Sequence, residues 1–183
     1  LAGVPGTVGG ALAMNAGCYG TETWDQVAAC KTIDRQGDIH LRTKADFITS
    51  YRHVEGVAAA QQHEWFVEAS FEFPAGDGEV AKEKIKSLLA KRMAAQPLDK
   101  PNAGSTFRNP QGDFAARLIE SVGLKGFAIG GAQVSLKHAN FIVNTGEAKA
   151  ADIEALIAHM AQTVLTKTGV ALTQEVRIVG NPA

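Results

Sequence analysis

Trp65-Phe66-Val67-Glu68-Ala69-Ser70-Phe71-Glu72-Phe73-Pro74-Ala75-Gly76-Asp77-Gly78 is the stretch at which the period of this chain changes. Trp65, Val67, Ala69, Phe71 and Phe73 alternate with Glu68, Ser70 and Glu72, which predicts a strand with one buried and one wet face. Pro74 to Gly78 ends that pattern. Upstream, Val27 to Asp34 and Asp38 to Arg42 flank Arg35-Gln36-Gly37 and predict a hairpin. Downstream the spacing is helical: Ile85, Leu88, Leu89 and Met93 form one stripe, with Pro97 beyond its end. Asp113 is placed to cap a short helix carrying Phe114, Leu118, Ile119 and Val122, with Gly123 as terminator. Ile153, Leu156, Ile157, Met160, Ala161, Val164 and Leu165 share one face of the clearest helix, between Asp152 and Gly169. The stripes are expected to be core. Strands are expected over 133–136, 141–144 and 176–179. The reading is an α+β chain with a β-rich part over residues 1–75 and an α+β part over 76–183.

Composition narrows the function. The 183 residues are 45% hydrophobic and 20% charged, with a net charge of -1. That balance offers no electrostatic footing for nucleic acid or an anionic membrane. No apolar run approaches the ~20 residues of a membrane-spanning helix. Cys18 and Cys30 lack metal-ligand spacing and make no disulfide framework, so no metal is expected and a reducing cytoplasm fits. The chain opens at Leu1 and runs at once into glycines, and it is expected to be the downstream part of a longer protein.

Four segments carry polar or glycine chemistry beyond what packing requires. Gly3-Val4-Pro5-Gly6-Thr7-Val8-Gly9-Gly10-Ala11, followed by Asn15-Ala16-Gly17-Cys18-Tyr19-Gly20, lets main chain approach a ligand closely. It has neither the Walker ending nor the Gly-x-Gly-x-x-Gly dinucleotide fingerprint, and a ligand-free tight turn is its plain alternative. In Ser50-Tyr51-Arg52-His53, Arg52 beside an aromatic suits a carboxylate, or else it is a surface arginine. In Ala103-Gly104-Ser105-Thr106-Phe107-Arg108-Asn109-Pro110, Gly104 is expected to set Ser105 on an exposed bend. Ser105 there is either a proton donor or a serine satisfying turn amides. No Gly-x-Ser-x-Gly elbow surrounds it, which disfavours a hydrolase nucleophile. In Gln174-Glu175-Val176-Arg177-Ile178-Val179-Gly180, Glu175 and Arg177 share a strand face, as an edge-strand ion pair also would.

Taken in order, these segments resemble the MurB family of UDP-N-acetylenolpyruvoylglucosamine reductases. Gly123-Leu124-Lys125-Gly126, Gly130-Gly131-Ala132, Ser135 and His138 to Asn144 extend the resemblance over essentially the whole chain. It implies a cytoplasmic flavoenzyme of cell-wall precursor synthesis in which NADPH reduces FAD. Hydride then passes to the enolpyruvyl double bond of a nucleotide-sugar. By motif, Arg52, Ser105 and Glu175 would be catalytic. Gly3, Pro5, Gly6, Thr7, Gly9, Gly10, Ala11 and Arg177 would meet the flavin, and Tyr51, Arg108 and Asn109 the substrate. The implied architecture is the remainder of a flavin-binding β-rich domain followed by an α+β substrate-binding domain, with the N-terminal FAD subdomain missing.

The chemistry is consistent with those roles. Hydride arrival raises negative charge on the substrate carboxylate, which Arg52 would stabilise. A protonated Glu175 would donate a hydrogen bond there, and Ser105 would deliver the proton. Arg52, Ser105 and Glu175 are expected to converge despite their separation in sequence. Two departures stand out: Val54 replaces the serine of the family's Tyr-Arg-x-Ser, and no additional tyrosine loop follows, which points to the branch without a substrate-clamping tyrosine. The chain alone is expected to bind FAD weakly. The competing readings are a flavin-free fragment that only binds nucleotide-sugar, and another flavin oxidase sharing the glycine loop.

Overall fold

A computed structural model describes residues 2–4, 6–58 and 63–180. The chain divides into two compact units, residues 1–89 and 90–183, and each encloses its own core. The fold is mixed α+β.

The first unit begins with a short helix, α1 (Val8–Ala13), and a two-residue ladder of β1 (Gly17–Cys18) and β2 (Thr21–Glu22). A three-stranded antiparallel sheet follows, ordered β4-β3-β7, from β3 (Val27–Ile33), β4 (Ile39–Thr43) and β7 (Trp65–Phe71). A separate hairpin pairs β5 (Phe47–Ser50) with β6 (His53–Gly56). The β3–β4 hairpin forms where the sequence places it, turning at Gly37 with φ +93°. Leu12, Trp24, Val27 and Cys30 are buried, with Phe47, Val54, Phe66, Ala69 and Phe71 packed against them. Burying a residue such as Leu12 stabilises by roughly 1.5–3 kcal/mol.

The face expected to be buried in β7 is only partly the face that packs. Ala69 and Phe71 lie against the core, whereas Trp65 and Val67 are half exposed and Phe66 packs inward. The cause is a bulge: Lys31 pairs with Glu68 but Thr32 pairs with Phe66, leaving Val67 without a cross-strand partner. One extra residue inverts the inside–outside alternation beyond it. Phe73, expected to continue the strand, lies past its end, is 71% exposed and stacks on Phe71.

Helix α2 (Gly78–Ala95) spans the division between the units. Its expected buried stripe is not buried: Ile85 and Met93 are exposed and Leu88 and Leu89 half-buried. Its start and exposed face carry local bonds. Asp77 Oδ1 accepts from the amides of Glu79 and Val80, and Lys82 and Lys86 pair with Glu79 and Glu83.

The second unit carries a four-stranded antiparallel sheet ordered β8-β11-β10-β9, from β8 (Asn102–Ser105), β9 (Ala128–Ile129), β10 (Ala132–Val134) and β11 (Phe141–Asn144). Helix α3 (Ala115–Ser121) and the longest helix, α4 (Ala150–Thr168), supply Leu118, Ile119, Leu156, Ile157, Met160 and Val164 to the core. The boundaries of α4 follow the expected signals. The Asp152 carboxylate accepts from Lys149 N at 3.0 Å, and Gly169 ends the helix in the left-handed region at φ +75°. The amides of Lys149 and Gly131 hold the Asp152 carboxyl below the usual carboxylate range.

Two expectations are corrected in this unit. Asp113 does not cap α3 through its side chain; it pairs with Arg117, which lowers its carboxyl to about 2. Phe114 is exposed, and Asn109 Oδ1 accepts the Ala115 amide at 3.1 Å. The expected strand over 176–179 is also absent. Pairing reaches a single bridge between Phe107 and Gln174 and stops after Val176, where the described hydrogen bonds to Thr106 O end.

The β9–β10 turn is closely packed: a Cβ on Gly131 would overlap the backbone of Glu147 and Ala148. Gly131→Ala should destabilise the chain by about 1–3 kcal/mol, whereas Gly78→Ala, with open space around it, should change stability by less than about 0.5 kcal/mol. Urea unfolding of the two variants checks both. Burial also pushes the Cys30 thiol up to about 11. Iodoacetamide at pH 8 should therefore modify half-buried Cys18 and spare Cys30 until the chain unfolds, as read by mass spectrometry.

Candidate active site

In the first unit the glycine-rich stretch is half loop and half helix. Gly3 and Gly6 adopt left-handed φ of +79° and +115°. Thr7 then caps α1, its Oγ1 accepting from Gly10 N at 3.1 Å. Gly9, Gly10 and Ala11 thus lie within the first turn of a helix, not in an open turn. Pro5 lies outside the described residues. Gly6 is exposed, and nothing stands within 4 Å of the position a Cβ would occupy. This leaves the main chain open to a close ligand.

Tyr51 and Arg52 form the tip of the β5–β6 hairpin, between Ser50 and His53. Arg52 holds φ +55°, a conformation costly for a side-chain-bearing residue. Its guanidinium lies 4.8 Å from the Tyr51 ring centroid, and Nη2 donates to Gly17 O at 3.2 Å. Gly17 is required there, since a Cβ would stand 2.9 Å from Thr21 O and 3.4 Å from Arg52 Nη1. Beneath lies Asn15, 2% exposed, also left-handed at φ +43°.

In the second unit Ser105 is not on an exposed bend. It is the last residue of β8, half-buried and paired with Phe141. The left-handed Gly104, φ +81°, sits in an irregularity where Asn102 pairs with Val143 while Ser105 pairs with Phe141. Two residues on β8, Ala103 and Gly104, thus oppose one on β11, Ile142, a bulge of the kind that re-aims a side chain. Asn140, 2% exposed, holds the next residues. Its Nδ2 donates to Phe107 O at 2.7 Å, its Oδ1 accepts from Phe107 N at 3.0 Å, and its carbonyl accepts from Thr106 N at 2.8 Å.

The C-terminal segment meets the same place. Glu175 N donates to Thr106 O at 2.9 Å, and Arg108 N to Thr173 O at 2.8 Å. Half-buried Glu175 therefore stands beside Thr106, the residue after Ser105, despite their wide separation in sequence. Arg108 is half-buried, and its Nε is shielded from solvent with no hydrogen bond among the described residues. Asn109, expected to bind substrate, spends its Oδ1 on α3. Arg177 is exposed and lines a cavity of about 430 Å³ with Asn102, Gly104, Ile153 and Val176. His138 packs edge-on against Phe141 at 4.8 Å, and burial lowers its pKa, favouring neutral imidazole. Sequence reasoning assigned no role to Asn15 or Asn140. Their signal, a polar residue at a packed position, emerges only once burial is known. No cluster of His, Cys, Asp and Glu suited to a metal occurs among the described residues, and none of their helices is long and apolar enough to cross a membrane.

Residues 96–179 match the family model for the UDP-N-acetylenolpyruvoylglucosamine reductase C-terminal domain. A protein of that name from Thiobacillus denitrificans is 58% identical over 181 residues, covering 98% of this chain and 55% of the relative. Another from Nitrosospira multiformis is 56% identical over 200 residues, covering 100% of this chain and 58% of the relative. The chain thus spans a little over half the length of these curated relatives. The crystal structure of UDP-N-acetylenolpyruvylglucosamine reductase (MurB) from Thermus caldophilus superposes with a TM-score of 0.79 at 31% identity, covering 94% of this chain and 61% of that one. With that family-model match, relatives 56–58% identical over 98–100% of its length and a shared fold, the chain belongs to the UDP-N-acetylenolpyruvoylglucosamine reductase (MurB) family.

Proposed function

We propose that this chain carries the substrate-reducing machinery of a UDP-N-acetylenolpyruvoylglucosamine reductase, an oxidoreductase of peptidoglycan precursor synthesis acting in the cytoplasm. The observation that carries the reading is the bond from Glu175 N to Thr106 O. It sets a carboxyl-bearing residue against the bulge that presents Ser105, the pairing that proton delivery beside a substrate carboxylate needs.

FAD reduced by NADPH, when bound, supplies the hydride. The main chain at Gly3 and Gly6, exposed and left-handed at both and open at Gly6, fits a flavin seated against it. Arg52 and Tyr51 take the substrate carboxylate: the guanidinium, held by Gly17 O and the Tyr51 ring, is already oriented as negative charge grows on the carboxylate oxygens. Glu175, carried beside the Ser105 bulge, supplies the carboxyl of the proton-delivery step. Ser105 Oγ–H gives its proton to the carbon that has become basic, and completes the saturated lactyl ether. Arg108, with its buried Nε, and Asn109 position the nucleotide-sugar.

In an active reductase containing this chain, Ser105→Ala should leave NADPH-driven flavin bleaching nearly unchanged. It should slow reoxidation by the enolpyruvyl substrate about 10²–10⁴-fold. Equal slowing of both half-reactions in stopped flow would remove Ser105 as the donor. Arg52→Lys should also slow reoxidation, because lysine keeps the charge but loses the planar fork. For the glycine loop, Gly6→Val puts a branched side chain where Gly6 is left-handed and open. FAD affinity, followed by quenching of flavin fluorescence, should fall about tenfold or more relative to the unsubstituted chain.

A further inference from the structure

We infer that Asn15 is the positioning residue for Arg52, holding two supports of the guanidinium through one buried carboxamide. The inference rests on the proposed role of Arg52 in binding the substrate carboxylate. Asn15 Nδ2 donates to Ser50 O at 3.1 Å and to Glu22 Oε2 at 2.6 Å, and Oδ1 accepts from Trp24 N at 3.2 Å. Ser50 is the last residue of β5, two before Arg52, so the first bond pins the base of the hairpin tip. Glu22 is the cross-strand partner of Gly17, and Gly17 O accepts from Arg52 Nη2. The second bond therefore pins the ladder that carries the guanidinium's acceptor. Trp24 N secures the node to the core, where the Trp24 indole donates to Leu12 O at 2.9 Å.

The chemistry of the node admits one side chain. It needs two N–H donors and one acceptor on a short stem, on a backbone at φ +43° that asparagine tolerates better than most residues. Aspartate shares the shape but would set a carboxylate against the Glu22 carboxylate and the Ser50 carbonyl. Glycine would keep the backbone and lose all three bonds. Arg52 is itself left-handed, and strain of that kind persists only where the surroundings over-determine it.

The test is side-chain NMR on the 183-residue chain with labelled arginine, the Arg52 Nε–H signal being assigned by its loss in Arg52→Lys. In the unsubstituted chain this group should be as rigid as the backbone. In Asn15→Gly its order parameter should fall below about 0.6, the flexible range, while amide signals of β3, β4 and β7 stay in place. An intact sheet with Arg52 still rigid would overturn the inference. Should Asn15→Gly fail to fold, the pair Asn15→Asp and Glu22→Gln decides. Asn15→Asp alone should loosen Arg52, and adding Glu22→Gln, whose amide donates back to the new carboxylate, should recover at least half of the lost order. No recovery in the double variant would equally overturn it. None of these readouts needs flavin or turnover, so a failure of the proposed reaction would show separately in the half-reaction kinetics.

Discussion

Asn140 closes both main-chain hydrogen bonds of Phe107, a residue only 1% exposed, through a single carboxamide. Everything proposed for the second unit depends on that clamp. A buried amide left unmade costs roughly 1–3 kcal/mol, and β8 ends at Ser105, so no neighbouring strand serves Phe107 on that side. With the clamp in place, Thr106 is free to offer its carbonyl to Glu175. The serine bulge and the carboxyl-bearing tail are therefore held by the same three residues, 105 to 107.

The first unit solves a similar problem with Asn15. There one carboxamide satisfies three groups from three segments. Glycine supplies the complementary device. Gly17 lets the Arg52 guanidinium lie close to the main chain, and Gly131 lets the β9–β10 turn sit against Glu147 and Ala148. The Asp152 carboxylate then joins Gly131 N, at 3.3 Å, to the first turn of α4. Carboxamides and carboxylates take up the polar main chain where packing is too close for solvent. Apolar burial elsewhere supplies the stabilisation.

The elements legible in the sequence were those whose stabilisation is local or periodic. α4 has an apolar stripe, an acidic first turn and a glycine stop, and it forms over Ala150–Thr168. The β3–β4 hairpin has its turn residues and forms. The failures share a cause. Val67 and Trp65 alternate correctly, but a bulge chosen by pairing with β3 turns them outward. Residues 176–179 have strand composition, but main-chain pairing with the Thr106 segment runs out after Val176. Ile85 and Met93 keep helical spacing, yet both are exposed; α2 is capped by Asp77 and receives long-range bonds from Tyr19 to Leu88 O and from Lys137 to Met93 O.

By itself the sequence determined the α+β class, the position of the longest helix, and the ordered motifs by which the chain is identified as a member of its family. Those features depend on residue type and spacing, which a linear reading preserves. Only the tertiary structure decided that Ser105 ends a bulged strand, that Glu175 bonds to the residue beside it, that Asn109 caps a helix, and that Asn15 underlies Arg52. Each of these depends on which distant main-chain group lacks a partner. Hydrogen-bond demand of that kind arises from strand register and chain crossing, and no periodicity in the sequence records it.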